Sequence, residues 1–176
     1  IKEIKVLGEP VAERLQRLEP VKITGNNRTD ADYPVELLFD RNTYTTWQVN
    51  AGTFNDAESI VDLGETCTIK YIKVFGNSVA NRYKFQYDQN GQWRDIIGMT
   101  NLSMLDRQIG WQKFNLDPDR ISTAKLRLVM TGNGAMSGPR EVEVWGYREH
   151  SYQRPYLYLD SGLVSLKQNT SLNYGF

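Results

Sequence analysis

Short segments in which apolar and polar residues alternate restrict this chain to a small set of folds. The clearest is residues 83–87, Tyr-Lys-Phe-Gln-Tyr, which the turn signal Asn90-Gly91 follows closely. Alternation of this kind predicts a strand with one buried and one solvated face, and Asn-Gly predicts a tight hairpin. Similar segments recur at regular spacing without a long helical pattern. The sequence therefore predicts an all-β, antiparallel sandwich and no parallel α/β sheet.

The remaining strands are predicted wherever apolar residues alternate between loops rich in Gly, Asn and Asp. These segments are 21–23, 59–63, 69–75, 111–116, 124–130 and 141–147. We expect 59–63 and 69–75 to be two strands separated by a turn at Gly64-Glu65. Residues 1–19 form a lead-in that pairs with the sandwich edge or belongs to a preceding domain. Residues 149–176 form an extension that adds an edge strand or begins a linker to a following domain.

Charge and cysteine content exclude several classes of protein. Lys plus Arg and Asp plus Glu both number 21, so the net charge is zero. Nucleic acid is therefore not an expected partner, because phosphate binding depends on a basic surface. The single cysteine, Cys67, has no partner for an internal disulfide and is predicted to be a buried structural thiol. There is no apolar run long enough to cross a bilayer. Because the chain begins at Ile1 without Met, we expect it to be a mature or excised piece of a longer protein.

The segment 38–47 combines bulky apolar ends with a polar middle. Leu38, Phe39 and Trp47 are its anchors, and its oxygen-bearing side chains include those of Asp40, Asn42 and Thr45. Carboxylate, amide and hydroxyl oxygens at this spacing suit a hard cation such as Ca²⁺. The EF-hand template is not met, because Thr45 stands where that loop needs Gly and Ala51 where it needs Glu. The same residues also suit a side-chain-stabilised turn before a buried tryptophan.

An ordered set of segments carries a family resemblance. It comprises Leu-Phe-Asp-x-Asn-x-x-Thr-x-Trp at 38–47, Ile-Val-Asp-Leu-Gly at 60–64, the strands at 69–74 and 83–87, Gly-Gln-Trp at 91–93, the strand at 125–130, and Glu-Val-Glu-Val-Trp-Gly at 141–146. In this order the segments resemble the discoidin, or coagulation factor 5/8 type C, family, which includes the family 32 carbohydrate-binding modules. The resemblance runs from about residue 20 to 147. It implies a galactose-binding-domain-like β-sandwich jelly roll over residues 20–148, with short extensions at both ends.

The resemblance also implies a structural calcium ion. Carried over position by position, its ligands are the Leu37 carbonyl, the side chains of Asp40, Asn42 and Thr45, and Glu141 from the last strand. Family members usually have Gly where this chain has Arg41. A non-glycine residue must therefore adopt that turn conformation here.

The resemblance further implies ligand binding by loops at one end of the sandwich. The corresponding loops are 24–33, 48–58, 76–82 and 131–140. Asn77, Asn81 and Arg82 stand where sugar-binding members place an Asn and an Arg that bond to hydroxyl groups, and Tyr33 and Phe54 are the candidates for stacking on a sugar face. Asn in such loops also commonly only caps turns. Met136 occupies a region where sugar binders often carry an aromatic ring.

These implications favour a non-catalytic carbohydrate-binding or adhesion module of a larger secreted or cell-surface protein. Its expected partners are a glycan or glycoprotein and other domains of the same polypeptide or assembly. Catalysis is poorly supported, because the only histidine, His150, lies in the C-terminal extension. Two alternatives stay open: a protein- or lipid-contacting adhesion module using Phe54 and Met136, and an architectural or protein–protein interaction domain within an assembly.

Overall fold

A computed structural model describes residues 14–26, 29–49, 56–76, 82–103, 110–116, 121–131, 136–148, 156–160, 163–167 and 173–174. The chain divides into two compact units. The larger is Leu15–Arg148, and the smaller combines Ile1–Arg14 with Glu149–Phe176.

The larger unit consists of eleven described strands and one short 3₁₀ helix, Val35–Phe39. The strands are β1 Gln16–Arg17, β2 Lys22–Gly25, β3 Gln48–Val49, β4 Ala57–Phe75, β5 Arg82–Gln89, β6 Gln92–Asp95, β7 Leu102–Ser103, β8 Trp111–Asn115, β9 Ile121–Thr131, β10 Met136–Ser137 and β11 Glu141–Arg148. All their pairings are antiparallel. The predicted all-β antiparallel sandwich is therefore confirmed.

Strand β4 belongs to both layers of the sandwich. Its first part pairs with β2 on one side and β9 on the other, and the sheet continues from β9 to β5 and β6. Its last part pairs with β11 and β8, and β1 extends this layer from the edge of β11. The lead-in residues Gln16 and Arg17 therefore join the sandwich edge, which is one of the two arrangements that the sequence left open.

The core lies between these layers and is made from the inward residues of the alternating strands. Its members include Val61, Leu63, Ile72, Val74, Phe85, Leu126, Leu128, Val142 and Val144, all at most 2% exposed. Cys67 is also fully buried and carries no disulfide, as predicted. Each layer supplies one apolar face, and burial of these faces against each other is the main term that stabilises the sandwich.

The predicted turn at Gly64-Glu65 is wrong, because β4 runs without a break from Ala57 to Phe75. Residues 63–66 lie opposite the single residue Ala124, between the pairs Asp62–Lys125 and Cys67–Thr123. Gly64 has φ 81° and its N–H donates to Asp62 Oδ1 at 2.8 Å. Positive φ at glycine here produces a bulge rather than a chain reversal, and the bulge lets one strand pass from one layer to the other.

The predicted hairpin between β5 and β6 is confirmed. Asn90 and Gly91 both have positive φ, 54° and 82°, as the two-residue turn that connects such strands requires. Tyr83 and Phe85 are buried as predicted, but Gln86 on the opposite face is also only 6% exposed. Its side chain is held by Arg127 and Asp95 at 2.7 and 2.6 Å, so neighbouring strands cover a position that alternation marks as solvated.

The smaller unit contains three described strands, β12 Tyr156–Asp160, β13 Leu163–Lys167 and β14 Asn173–Tyr174. They form their own antiparallel sheet in the order β12–β13–β14. The apolar alternation of the C-terminal extension thus corresponds to strands that pair with one another. His150 lies outside the described residues.

Candidate functional site

The loop from Asp40 to Thr46 is held at both ends by buried residues. The 3₁₀ helix Val35–Phe39 precedes it and buries Val35 and Leu38, and Trp47, which follows it, is 0% exposed. Trp47 O accepts a 2.7 Å hydrogen bond from Gly138 N, so the loop is also tied to the chain just before β11. Anchors of this kind fix the ends of an irregular segment and so limit the conformations of the residues between them.

Side-chain oxygens of the loop organise its own backbone. Asp40 Oδ1 accepts from Asn42 N at 2.8 Å, and Asn42 Oδ1 accepts from Tyr44 N at 3.0 Å. These are two successive Asx turns, in which a side chain takes the place of a backbone carbonyl. The Asn42 side-chain oxygen, which was the predicted ligand atom, thus accepts the Tyr44 N–H, and it is the Asn42 backbone carbonyl that lies 2.8 Å from Thr45 Oγ1.

Three oxygen atoms converge at the centre of the loop. Thr45 Oγ1 lies 2.7 Å from Asp40 Oδ2 and 2.8 Å from Asn42 O. The hydroxyl carries one hydrogen, which serves only one of these two acceptors fully. Carboxylate, hydroxyl and carbonyl oxygens are the ligand types that a hard cation such as Ca²⁺ takes.

Glu141, the first residue of β11, is 100 residues from Arg41 in the sequence but contacts the Asp40 loop. Its side chain is 1% exposed, Oε2 accepts from Arg41 N at 3.0 Å, and Oε1 accepts from Arg17 Nη2 at 2.7 Å. Arg41 has φ 65°, the left-handed conformation in which the resembled family usually has Gly. In this left-handed turn the Arg41 N–H donates its hydrogen bond to the Glu141 carboxylate.

Burial raises the pKa of the Glu141 carboxyl to about 7, and the charge of Asp40 acts in the same direction. The hydrogen bonds and charge of Arg17 and the backbone N–H of Arg41 oppose this rise. The two carboxylates are thus close enough to repel each other, and one of them has almost no water around it.

The predicted metal ligands are therefore largely gathered in one place. Asp40, Thr45 and the Asn42 carbonyl lie in direct contact, Glu141 joins them through Arg41, and Leu37 lies in the preceding 3₁₀ helix. An all-oxygen set from carboxylates, a hydroxyl and carbonyls has the chemistry that calcium prefers, so these residues fit the ion. Within the described part of the chain, no three His, Cys, Asp or Glu side chains form a metal-binding group.

Arg17 and Glu19 are members of this site that we did not anticipate from the sequence. Glu19 Oε1 lies 3.0 Å from Arg17 Nε and 2.7 Å from Arg41 Nη2, so it bridges the two arginines. Both residues belong to the lead-in, where single charged residues show no pattern. Only the pairing of Arg17 with Trp145 in the β1–β11 register brings them to the start of β11.

The flanks of the predicted ligand-binding loops meet at one end of the sandwich. Thr29 and Met136 both pair with Val49, while Arg82 pairs with Thr131. Asn26 is bonded through its backbone to Glu58 O and through its side chain to Asp56 O. Strand pairing thus brings the described flanks of all four loops to the same end of the sandwich, to which the Gly138–Trp47 bond joins the Asp40 loop.

Two of the five predicted ligand-binding residues can be placed. Tyr33 is 43% exposed, and its carbonyl accepts from Gln48 N at 3.1 Å, which fixes it beside β3. Arg82 is exposed at the start of β5, with its backbone paired to Thr131 and Ser103. Phe54, Asn77 and Asn81 lie outside the described residues.

Trp111 on β8 is 40% exposed, but it is part of a packed outer face. Phe75 contacts it edge to face, and Lys73 Nζ lies 4.3 Å from its ring centroid. The neighbouring Tyr71 stacks on Trp145 at 5.7 Å. These rings support the sheet rather than stand free.

In the described residues, no helix has the length and apolar character needed to span a membrane.

An antiparallel sandwich with an oxygen-rich loop beside a rim of converging loops defines a class of small β-sandwich modules. The F5/8 type C domain family matches residues 22–142, which is more than half of the chain. The chain belongs to this F5/8 type C family. No curated protein sequence matches it.

Solved structures with the same fold include several family 32 carbohydrate-binding modules. The family 32 module of NanJ from C. perfringens, in complex with galactose, has 13% identity and a TM-score of 0.60, covering 75% of this chain and 99% of that one. The family 32 module of AlyQ, in complex with 4,5-unsaturated mannuronic acid, has 15% identity and a TM-score of 0.59, covering 73% and 97%. A pectin-binding module has 14% identity and a TM-score of 0.60, covering 72% and 91%.

Proposed function

We propose that this chain is a non-catalytic carbohydrate-binding module of a larger secreted or cell-surface protein, and that it binds glycan at the rim formed by its four loops. The observation that carries the proposal is the convergence of the flanks of these loops through the pairs Thr29–Val49, Met136–Val49 and Arg82–Thr131. In such an arrangement, side chains from remote parts of the chain face one ligand on a rigid scaffold.

The ligand class is supported by the proteins that share this fold. Their described ligands are galactose, 4,5-unsaturated mannuronic acid and pectin, which differ in sugar and charge but are all carbohydrates. The family to which the chain belongs and the coverage of nearly the whole of those modules both favour the same class. We therefore propose a glycan as the ligand and extend to this chain no single sugar from these relatives.

The side chains that we propose to contact the glycan are Tyr33, Phe54, Asn77, Asn81 and Arg82. The Arg82 guanidinium presents several donors in one plane, which matches adjacent hydroxyl oxygens of a sugar ring. Tyr33 is half-exposed and can place an aromatic face against the apolar side of a ring. The exposure of Arg82 and Tyr33 at the rim supports these roles.

We further propose that the loop binds a structural calcium ion through the Leu37 carbonyl, Asp40, Asn42, Thr45 and Glu141. The convergence of Asp40, Asn42 and Thr45 oxygens and the burial of the Glu141 carboxylate support this site. The ion would supply positive charge close to the Asp40 and Glu141 side chains. Because Trp47 and Gly138 tie the loop to the rim, an ordered loop would also order the ligand-binding end.

The proposed role is to hold neighbouring domains at a glycan. Some structures with this fold are parts of longer chains, such as truncated AlyQ with its alginate lyase domain, of which the match covers 35%. An architectural or protein–protein role is the second candidate. It is favoured by the separate smaller unit, whose strands β12–β14 lie beyond the family match.

Glycan-array screening followed by titration calorimetry tests the proposal. Galactose, pectin and alginate oligosaccharides are the first titrants, in buffer with calcium. We expect saturable binding that Arg82→Ala weakens at least tenfold, because the loss of a multi-donor contact costs about 1.4 kcal/mol or more.

Arg94→Ala is the matched control, because Arg94 is also exposed but lies on β6, beside the opposite end of β5. It should bind as the unaltered protein does. If no glycan binds at millimolar concentration, the carbohydrate-binding proposal fails and the architectural role is favoured.

A further inference from the structure

The guanidinium group of Arg17 forms an ion pair with Glu141, one of the proposed calcium ligands. Arg17 Nη2 is 2.7 Å from Glu141 Oε1, and the side chains of Arg17 and Glu141 are 16% and 1% exposed. The other oxygen of the same carboxylate accepts from Arg41 N. Glu141 therefore already has a buried cationic partner within this chain, supplied from outside the family match at 22–142.

The position of Arg17 is fixed by the strand that carries it. Arg17 pairs with Trp145 in the β1–β11 register, and Leu18 N donates to Val144 O at 2.8 Å. Leu18 is 1% exposed and anchors the strand in the core. Arg17 is thus held against β11 by backbone bonds and a buried neighbour, rather than being a mobile surface side chain.

The guanidinium is held by carboxylates on three sides. Besides Glu141, its Nε lies 3.0 Å from Glu19 Oε1 and its Nη1 lies 3.6 Å from Glu143 Oε1. Glu143 is 13% exposed and also pairs with Lys73 Nζ at 2.8 Å. These contacts pre-organise Arg17 and keep its charge next to the place where the ion would bind.

The Asp40 loop is linked to the ion pairs around Arg17. Arg41 Nη2 lies 2.7 Å from Glu19 Oε1, so Glu19 connects the loop to the segment that carries Arg17. Around the proposed site, Asp40, Glu141, Glu143 and Glu19 face Arg17, Arg41 and Lys73. Most of the negative charge that would attract a divalent ion is therefore offset by the protein itself.

We infer that Arg17 competes with calcium for the Glu141 carboxylate. The strand that precedes the family-matched region thereby sets the calcium affinity of the Asp40 loop. This inference rests on the proposed calcium site. In the ion-free state, Arg17 supplies the positive charge that Glu141 needs. In the ion-bound state, calcium must share or displace that contact and also tolerate the repulsion of the guanidinium.

Calcium titration of Arg17→Met tests the inference. Methionine keeps an unbranched apolar stem of similar length and removes the charge. After treatment with chelator, calcium affinity is measured by calorimetry and by competition with Tb³⁺ luminescence. We expect the dissociation constant to fall at least tenfold, while the ion-free Tm decreases and its rise on adding calcium becomes larger than in the unaltered protein.

Two further variants separate this mechanism from general effects of charge. Arg17→Lys retains the positive charge and should leave the affinity within about threefold of the unaltered protein, although it loses the forked geometry. Arg127→Met removes an arginine of similar burial, 19% exposed, that pairs with Glu58 in the other layer. It should not change calcium affinity, and high salt should not abolish the effect of Arg17→Met, because buried pairs are weakly screened.

The possible outcomes distinguish the inference from the proposal beneath it. If both the unaltered protein and Arg17→Met bind calcium with equal affinity, Arg17 is not a competitor and only the inference fails. If neither binds calcium or Tb³⁺, the calcium site and the inference both fail. If Arg17→Met folds only with calcium, the midpoint calcium concentration for folding replaces the Tm. Corrected for the free energy of folding of the ion-free variant, that midpoint must give a dissociation constant at least tenfold below that of the unaltered protein.

Discussion

The Arg41 N–H donates a 3.0 Å hydrogen bond to Glu141 Oε2, across 100 residues of sequence. Arg41 is at φ 65° there, a conformation that costs about 1 kcal/mol or more for a residue with a side chain. The loop retains it because the carboxylate and Glu19 both bind Arg41. This contact joins the early loop to the closing strand, and it makes both sensitive to changes at either residue.

We expect Glu141→Leu to destabilise the calcium-free protein by about 1–3 kcal/mol, because Arg17 loses its closest partner, with only Glu19 and Glu143 left beside it, and Arg41 N loses its acceptor. Urea unfolding measures the change. The double variant Arg17→Met with Glu141→Leu should lose clearly less stability than the sum of the losses in the two single variants, because both charges of the pair are then removed together. Simple additivity would show that the pair contributes nothing specific.

Thr45→Val should lower the free energy of unfolding by about 1 kcal/mol, because it removes the hydroxyl between Asp40 Oδ2 and Asn42 O without changing the side-chain volume much. The rise in Tm on adding calcium should also become smaller. Chemical denaturation with and without chelator measures both effects. Thr24→Val, at an exposed position of β2, is the control, and a loss there of the same size would indicate a general cost of the substitution.

Gly146→Ala should be severely destabilising, by about 3 kcal/mol or more, because a Cβ would collide with the backbone carbonyl oxygen of Thr68 and lie 3.0 Å from its carbon. Gly146 lies at the register shift of β11, so the collision would push β11 away from β4. Gly110→Ala, where a Cβ meets nothing within 4 Å, is the matched control and should change stability by less than about 1 kcal/mol. Thermal and urea unfolding of both variants give the comparison.

Asp95 should contribute a small, pH-dependent stabilisation. The hydrogen bond from Lys84 and that from Gln86 lower the pKa of this carboxyl below its ordinary 3.8. Its contribution is therefore present above pH 3.8 and is lost as the pH falls through the lower folded value. The side chain is 46% exposed, so the contribution is at most about 1 kcal/mol. The stability difference between the unaltered protein and Asp95→Asn, measured by urea unfolding across pH, should be present near neutral pH and vanish in acid.

Local chemistry made some parts of this structure predictable. The turn at Asn90-Gly91 needs two residues with positive φ, and these residue types adopt it at low cost wherever they occur. The inward positions of Tyr83 and Phe85 follow from the period of a strand, because side chains alternate between its faces. The resemblance to the F5/8 type C family added the overall fold, which the family match at 22–142 confirms.

Other features depend on contacts between remote segments. A bulge at Gly64 replaces the expected turn because β4 has partners in both layers. A chain reversal at Gly64 would lose the pairs that β4 makes with β11. Gln86 is buried because Arg127 and Asp95 come from two other strands to cover it. No property of residues 83–87 alone predicts that cover.

The sequence by itself determined that this chain forms antiparallel strands, which faces of them are apolar, and where its oxygen-rich loop lies, because alternation and turn chemistry act over a few neighbouring residues. Only the tertiary structure decided that Arg17 pairs with Glu141, that Glu19 bridges two arginines, and that the described flanks of four loops meet at one end of the sandwich. These arrangements depend on strand register. Register is set by the packing of whole layers, and a shift of one residue in β1 or β11 would turn Arg17 or Glu141 to the opposite face.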